Sequence, residues 1–236
     1  MQTTMKITGG VFEEPKLVFD SDHNMAHPNP WYGLTTYGCY EKSNKDKLEI
    51  VLLAPAEKEE QMKSLLRNLQ EGTDGFPNGY EKYFGCGLQE KGFQRVDSHS
   101  FKDYEKACKK LIENYDATNV DLVMVYVPHT ERWYKETPYY LCKTLLTENG
   151  FITQMVTDKL FWNLKWSYFN LASAMYTKTG QTPWVLRSDY DVDLVIGVSY
   201  SYVMSKEGGV SGSGYVGYVN LFDRYGKWMY LKGAQM

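Results

Sequence analysis

Asp121-Leu-Val-Met-Val-Tyr-Val-Pro128 is an apolar run of strand length. It is followed by Thr137-Pro-Tyr-Tyr-Leu-Cys-Lys143 and then by Phe151-Ile-Thr-Gln154. The first stretch reads as a central hydrophobic strand, too short for a buried helix and rich in Val. Thr137-Pro138 reads as a helix start, because Thr suits the cap and Pro is tolerated at the first helical position. Asn149-Gly150 stops that helix, and Ile152 to Val156 reads as a second short strand. Strand, helix and strand in this order are the repeating unit of a parallel sheet.

Upstream, the same alternation continues. Lys47 to Ala54 passes into the buried run L-E-I-V-L-L-A and reads as a strand. Pro55 to Leu69 reads as a helix with Met62, Leu65, Leu66 and Leu69 on one side. Glu71 to Gly79 breaks it. Lys102 to Asn114 is a second amphipathic helix with Cys108, Leu111 and Ile112 inward. Gly85 to Val96 contains G-C-G-L-Q-E-K-G but no G-x-G-x-x-G before a helix, so a dinucleotide loop is rejected. The fold class is therefore α/β with a parallel, Rossmann-like sheet. Residues 1 to 42 read as an extended, turn-rich lead-in, punctuated by Pro15, His27-Pro-Asn-Pro-Trp31, Gly33 and Gly38.

After Pro183 the pattern changes. Val192 to Met204, Tyr215 to Phe222 and Lys227 to Leu231 read as three consecutive strands. Lys206 to Gly214 is a Gly-rich hairpin connection, and Asp223-Arg-Tyr-Gly226 is a tight turn. No Lys-Ser or Lys-Thr follows the Gly run, which excludes a P-loop.

Composition bounds the function. The 236 residues are 43% hydrophobic and 23% charged, a globular composition of one large or two small domains. Net charge is −3, so there is no global basic field and any nucleic-acid groove must be local. Cys39, Cys86, Cys108 and Cys142 form no C-x-x-C pair and no metal spacing. His23 and His27 lie four apart, but Pro28 and Pro30 argue against a helix presenting them together to a metal. With no signal peptide and no apolar run of transmembrane length, a reducing cytoplasm and no membrane partner are expected.

Five polar residues share one chemistry. A helix from Thr137 places Tyr139 and Lys143 on one face, one turn apart. Gln154 adds an amide from the following strand. A helix over roughly Trp162 to Thr177 carries Asn170, with Lys178 at its end before Thr179-Gly180. Two ammonium groups with hydroxyl and amide donors suit a terminal phosphate. The plain alternative is a solvated face with a snorkelling Lys.

The order of these segments resembles the Argonaute family, most closely its short archaeal and bacterial members. Asp121–Pro128 resembles the strand before the pocket helix of the middle (MID) domain. N-L-A-S-A-M-Y-T-K-T-G-Q-T-P-W-V-L (170–186) resembles the family's helix and G-x-x-P-W entry to the PIWI domain. D-L-V-I-G-V-S-Y-S (193–201) resembles the first PIWI strand. E-P-K-L-V-F (14–19) and G-L-T-T-Y-G-C-Y (33–40) resemble the lead-in to MID. The resemblance implies an extended lead-in over residues 1–42, a MID domain over 43–160, and the first strands of an RNase H-like PIWI domain over 161–236.

It also implies a function. Tyr139, Lys143, Gln154 and Lys178 fall on the family's set for the guide 5′ phosphate, and Asn170 falls where the first guide nucleotides are contacted. In the family an ion such as Mg²⁺, held partly by the chain's terminal carboxylate, often completes the pocket. Gln154 is the candidate ligand here, no certain metal set is identified, and Met236 is not expected to be that terminus. Ser199 falls where active PIWI domains carry their first catalytic carboxylate. A neutral hydroxyl does not replace a ligand that bridges two metal ions, so the resemblance implies a nuclease-inactive, guide-binding module with no catalytic residues of its own. The implied partners are a short single-stranded guide RNA or DNA and its complementary target, and an effector subunit acting in defence against invading nucleic acid. The three strands alone would leave an unpaired edge, so either a longer chain or a second polypeptide is expected to complete PIWI. Two other readings stay open: a nuclease with ligands drawn from Asp189, Asp191 and Asp193, and a Rossmann-like small-molecule binder.

Overall fold

A computed structural model describes residues 9–10, 14–128, 137–187, 192–203 and 214–235. Four parallel strands form its centre: β3 (Lys47–Pro55), β4 (Gly87–Val96), β5 (Leu122–Tyr126) and β6 (Thr153–Val156). Their order is β4-β3-β5-β6, with Val51 opposite Val123 and Val125 opposite Met155. β3 and β5 are buried on both faces, which is why their sequences are continuous apolar runs rather than alternating ones.

Alternation along β3 divides the core. Ile50, Leu52 and Ala54 face one side, with α2 (Glu59–Glu71), α3 (Gly79–Phe84) and α7 (Leu164–Lys178). Val51 and Leu53 face the other, with α4 (Phe101–Asn114) and α5 (Pro138–Glu148). The result is an α/β/α sandwich. The Ser100 side chain caps α4 by accepting from the Asp103 N–H at 3.2 Å. All four cysteines are free and buried.

Two smaller antiparallel sheets flank this core. The lead-in strands β1 (Leu17–Val18) and β2 (Ala26–His27) join β7 (Val185–Leu186) in the order β2-β1-β7. The chain before the parallel sheet is thereby tied to the chain after α7. The third sheet is the expected meander of β8 (Leu194–Val203), β9 (Gly214–Asp223) and β10 (Trp228–Gln235). The Gly-rich connection between β8 and β9 falls almost wholly outside the described residues.

Several expected elements are corrected. The lead-in is not wholly extended, because α1 (Pro30–Tyr37) lies inside it. Asn29 accepts from the Tyr32 N–H at 3.0 Å and Pro30 takes the first turn, so the punctuation read as a turn is a capped helix start. Gly33 lets this helix close on Phe19, since a Cβ there would come within 2.0 Å of the Phe19 ring. The helix expected over Trp162 to Thr177 is α7, and an unforeseen short helix, α6 (Asp158–Trp162), precedes it across Asn163. The stretch around Gly85 to Val96 is the edge strand β4. Among the described residues no helix is long and apolar enough to cross a membrane.

Candidate phosphate pocket

The pocket is assembled by three elements that follow β5. Thr137 occupies the N-cap position of α5 with extended backbone, and Pro138 starts the helix. Tyr139 and Lys143 then share a face, with Lys143 Nζ 5.8 Å from the Tyr139 ring centroid. Tyr139 is half-buried and packs edge-on against Tyr140, while Lys143 is exposed. β6 presents Gln154, whose Nε2 donates to the Met155 carbonyl at 3.0 Å. That bond fixes the amide so that Oε1 faces α7.

Lys178 closes the set from the last residue of α7. Its Nζ donates to Gln154 Oε1 at 2.8 Å and to the Thr153 carbonyl at 2.9 Å. Burial, and then repulsion from the Lys143 ammonium, hold its pKa below the ordinary lysine value. Tyr139 and Lys143 form one pair and Gln154 and Lys178 another. Asn170 lies exposed two turns before Lys178 on α7, about 12 Å from it along the axis.

Chemically these donors suit an anion. Neutral oxygens now accept from Lys178, and a phosphate oxygen would replace them with a charge-assisted bond of roughly twice the strength. The fit to a metal is weaker. Gln154 Oε1 already accepts from Lys178, and among the described residues no group of three His, Cys, Asp or Glu is placed to hold an ion. Mg²⁺ would have to take most of its ligands from phosphate and water.

Ser199 sits in mid-β8, exposed and opposite Tyr218 of β9. Asp193 is exposed just before the strand, while Asp189 and Asp191 lie outside the described residues. Asp223 is occupied structurally, since its Oδ1 accepts from the backbone N–H groups of Tyr225 and Lys227 in the β9–β10 turn.

Two features went unread in the sequence. A cleft of about 540 Å³ adjoins Lys178, lined by Thr177, Gln181, Trp184, Lys227 and Trp228. Lys227 reaches it from the β9–β10 turn and pairs with Glu41 at 2.5 Å. The second feature lies at the C-terminal ends of the strands, where Asp158 Oδ1 accepts from the Tyr126 hydroxyl at 2.7 Å and pairs with Lys58 at 3.0 Å. This network pins the start of α6 to the sheet. Neither feature has a sequence spacing that announces it, because the partners lie 32 to 186 residues apart.

No protein-family model matches the sequence, and no curated protein matches it. Solved structures do match. Clostridium butyricum Argonaute, bound to a guide DNA with a 5′ deoxycytidine and a 19-mer target DNA, is 19% identical with a TM-score of 0.67, covering 96% of this chain and 30% of that one. Drosophila Piwi is 14% identical with a TM-score of 0.68, over 96% and 30%. The C-terminal lobe of a budding yeast Argonaute is 12% identical with a TM-score of 0.67, over 96% and 48%. The chain spans about a third of the length of the first two. With the parallel sheet, the lead-in pairing and the antiparallel meander all in place, this chain has the fold of the C-terminal, MID and PIWI, lobe of Argonautes.

Proposed function

We propose that the chain is the guide-binding module of a nuclease-inactive, Argonaute-like protein of prokaryotic type, holding the 5′ phosphate of a short guide RNA or DNA. What supports this is the pairing of Lys178 with Gln154 and of Lys143 with Tyr139, together with the repulsion from Lys143 that helps lower the Lys178 pKa. The fold supports it, since several of the structures it resembles were solved with a guide. Asn170 contacts the nucleotides that follow the phosphate. An Mg²⁺ ion at the phosphate would take Gln154 Oε1 only in place of its bond from Lys178, would draw its other ligands from phosphate and water, and would further neutralise the phosphate charge.

Nuclease inactivity rests on Ser199, a neutral group where two-metal cleavage needs a carboxylate. Cleavage or another toxic activity then belongs to an effector subunit, and the module serves cytoplasmic defence by recognising invading target strands through the guide. A second polypeptide or further chain completes the PIWI sheet. One relative favours a variant of this reading: Marinitoga piezophila Argonaute was solved with a 5′-hydroxyl guide RNA and target DNA.

The test compares short labelled oligonucleotides with a 5′ phosphate and with a 5′ hydroxyl. Lys143→Ala and Lys178→Ala should each reduce binding of the phosphorylated strand by about 1.5–3 kcal/mol and leave the hydroxyl strand little changed. An undiminished phosphate preference in both variants would sink the pocket assignment. A preference for the hydroxyl strand would select the variant reading. Mg²⁺- or Mn²⁺-dependent cleavage of a target, lost in Asp193→Ala, would overturn nuclease inactivity.

A further inference from the structure

β8, β9 and β10 pack mainly on one another, and β8 is exposed from Leu194 to Tyr200. The meander therefore takes little cover from the body formed by the α/β/α core and the lead-in sheet. Three consecutive residues of the β9–β10 turn bind it to that body. The Tyr225 carbonyl accepts from the Leu186 N–H at 2.9 Å. Gly226 approaches Leu186 so closely that a Cβ there would come within 3.0 Å of its Cδ1. Lys227 Nζ pairs with Glu41 at 2.5 Å.

Both sides of this junction are stiff. In the turn, Asp223 Oδ1 accepts from the Tyr225 and Lys227 N–H groups at 2.9 Å each, and the Asp223 N–H donates to the Lys227 carbonyl at 3.0 Å. In the body, Glu41 is held by its backbone. Its N–H donates to the Thr182 carbonyl at 2.9 Å, and its carbonyl accepts from the Tyr176 hydroxyl. The neighbouring Tyr40 N–H donates to the Pro183 carbonyl at 2.9 Å. The β1–β2 connection supplies His23, whose ring centroid lies 4.7 Å from that of Tyr225 and 6.0 Å from that of Tyr40. His23 has a φ of 58°, a left-handed backbone that L residues rarely adopt. The Asp20 carboxylate steadies it by accepting from the Asn24 and Met25 N–H groups at 3.2 and 2.8 Å. Burial opposes the charge on Glu41, but the bonds from Lys227 and Thr182 and the charge of Lys227 hold its carboxyl below the usual range.

Two stiff units that meet at a few surface residues have the construction of a hinge. We infer that the β9–β10 turn is a latched joint. The meander swings against the body as a unit, and the Glu41–Lys227 pair with the Tyr225–His23 contact holds it in the position seen. The latch is weak by construction. Lys227 and Glu41 are 40% and 38% exposed, and an ion pair so open to water contributes little and is screened by salt. The joint bounds the cleft of about 540 Å³, which Thr177, Lys178 and Trp184 line from the body and Gly226, Lys227 and Trp228 line from the meander. Swinging the meander changes the width of this cleft, and with it the access to the end of α7. The joint stands whether or not Lys178 binds a phosphate.

The experiment places a pair of energy-transfer dyes on the 236-residue chain, at Ser64→Cys on α2 and Lys232→Cys on β10, both exposed positions. The natural thiols are buried and do not compete for the dyes. Single molecules are measured at nanomolar concentration, which keeps chains apart. The chain with its latch intact should give one narrow transfer peak in low salt, and that peak should shift and broaden as salt rises. Lys227→Met and Tyr225→Ala should each give the disturbed peak already in low salt. Glu41→Lys/Lys227→Glu should restore the narrow peak, which separates loss of the latch from loss of folding. A peak unmoved by salt and by both single variants overturns the joint and makes the turn a fixed corner. A charge-swapped chain that keeps the disturbed peak of Lys227→Met also overturns it, because the ion pair would then not be the latch.

Discussion

Lys178 sets the electrostatics of the pocket. Its ammonium is held among neutral oxygens and near a second cation, so its charged form is disfavoured in the folded, ligand-free protein. The folded pKa lies below the unfolded one. Between those two values the unfolded chain binds more protons, so this residue makes stability rise with pH across that window. The proposed phosphate binding has the opposite dependence, because it needs the ammonium. The preference for a phosphorylated over a hydroxyl strand should therefore weaken as pH rises through the depressed pKa of Lys178. Lys143→Ala removes the repulsion and should move that loss to higher pH, which a titration of affinity against pH would detect. The Tyr139–Lys143 pair was legible from its spacing of four on a helix. The contact between Gln154 and Lys178 was not, because 24 residues separate them, and only the order of surrounding motifs joined them. The Thr153 carbonyl, a backbone acceptor, had no signature at all.

At the level of elements, burial on both faces made β3 and β5 readable as apolar runs, and one-sided burial made α2 and α4 readable as amphipathic helices. β4 escaped notice because it is an edge strand. Its Gln89-Glu90-Lys91 stretch is exposed, and the charges that hide its strand character also guard the edge against pairing. α1 escaped because Pro30 and Gly33 usually punctuate loops. Here Pro30 starts the helix and Gly33 supplies clearance for Phe19. Gly33→Ala should push α1 off Phe19 and cost about 1–3 kcal/mol, visible as a lowered midpoint in thermal or denaturant unfolding. Survival of wild-type stability would mean that α1 can shift without loss.

For the whole molecule, the meander is the part whose surface is least settled. Val195 and Ile196 point to opposite faces of β8, and both are exposed, at 49% and 58%. Val198 and Tyr200 are each 74% exposed, and Met229 and Leu231 add further apolar area. Apolar surface on both faces of a three-stranded sheet favours association. The chain should therefore self-associate with rising concentration, and Ile196→Lys/Val198→Lys, which charges one face, should shift sedimentation toward the monomer. A chain that stays monomeric at high concentration would refute this. The strands themselves were legible. The interior has a practical counterpart. All four cysteines are enclosed, and burial pushes the Cys86 thiol up to about 11, so its nucleophilic thiolate is scarce at neutral pH. The native fold should be silent to alkylating reagents, so a single engineered surface cysteine could take a dye without removing the natural ones, and any signal from those would report opening of the core.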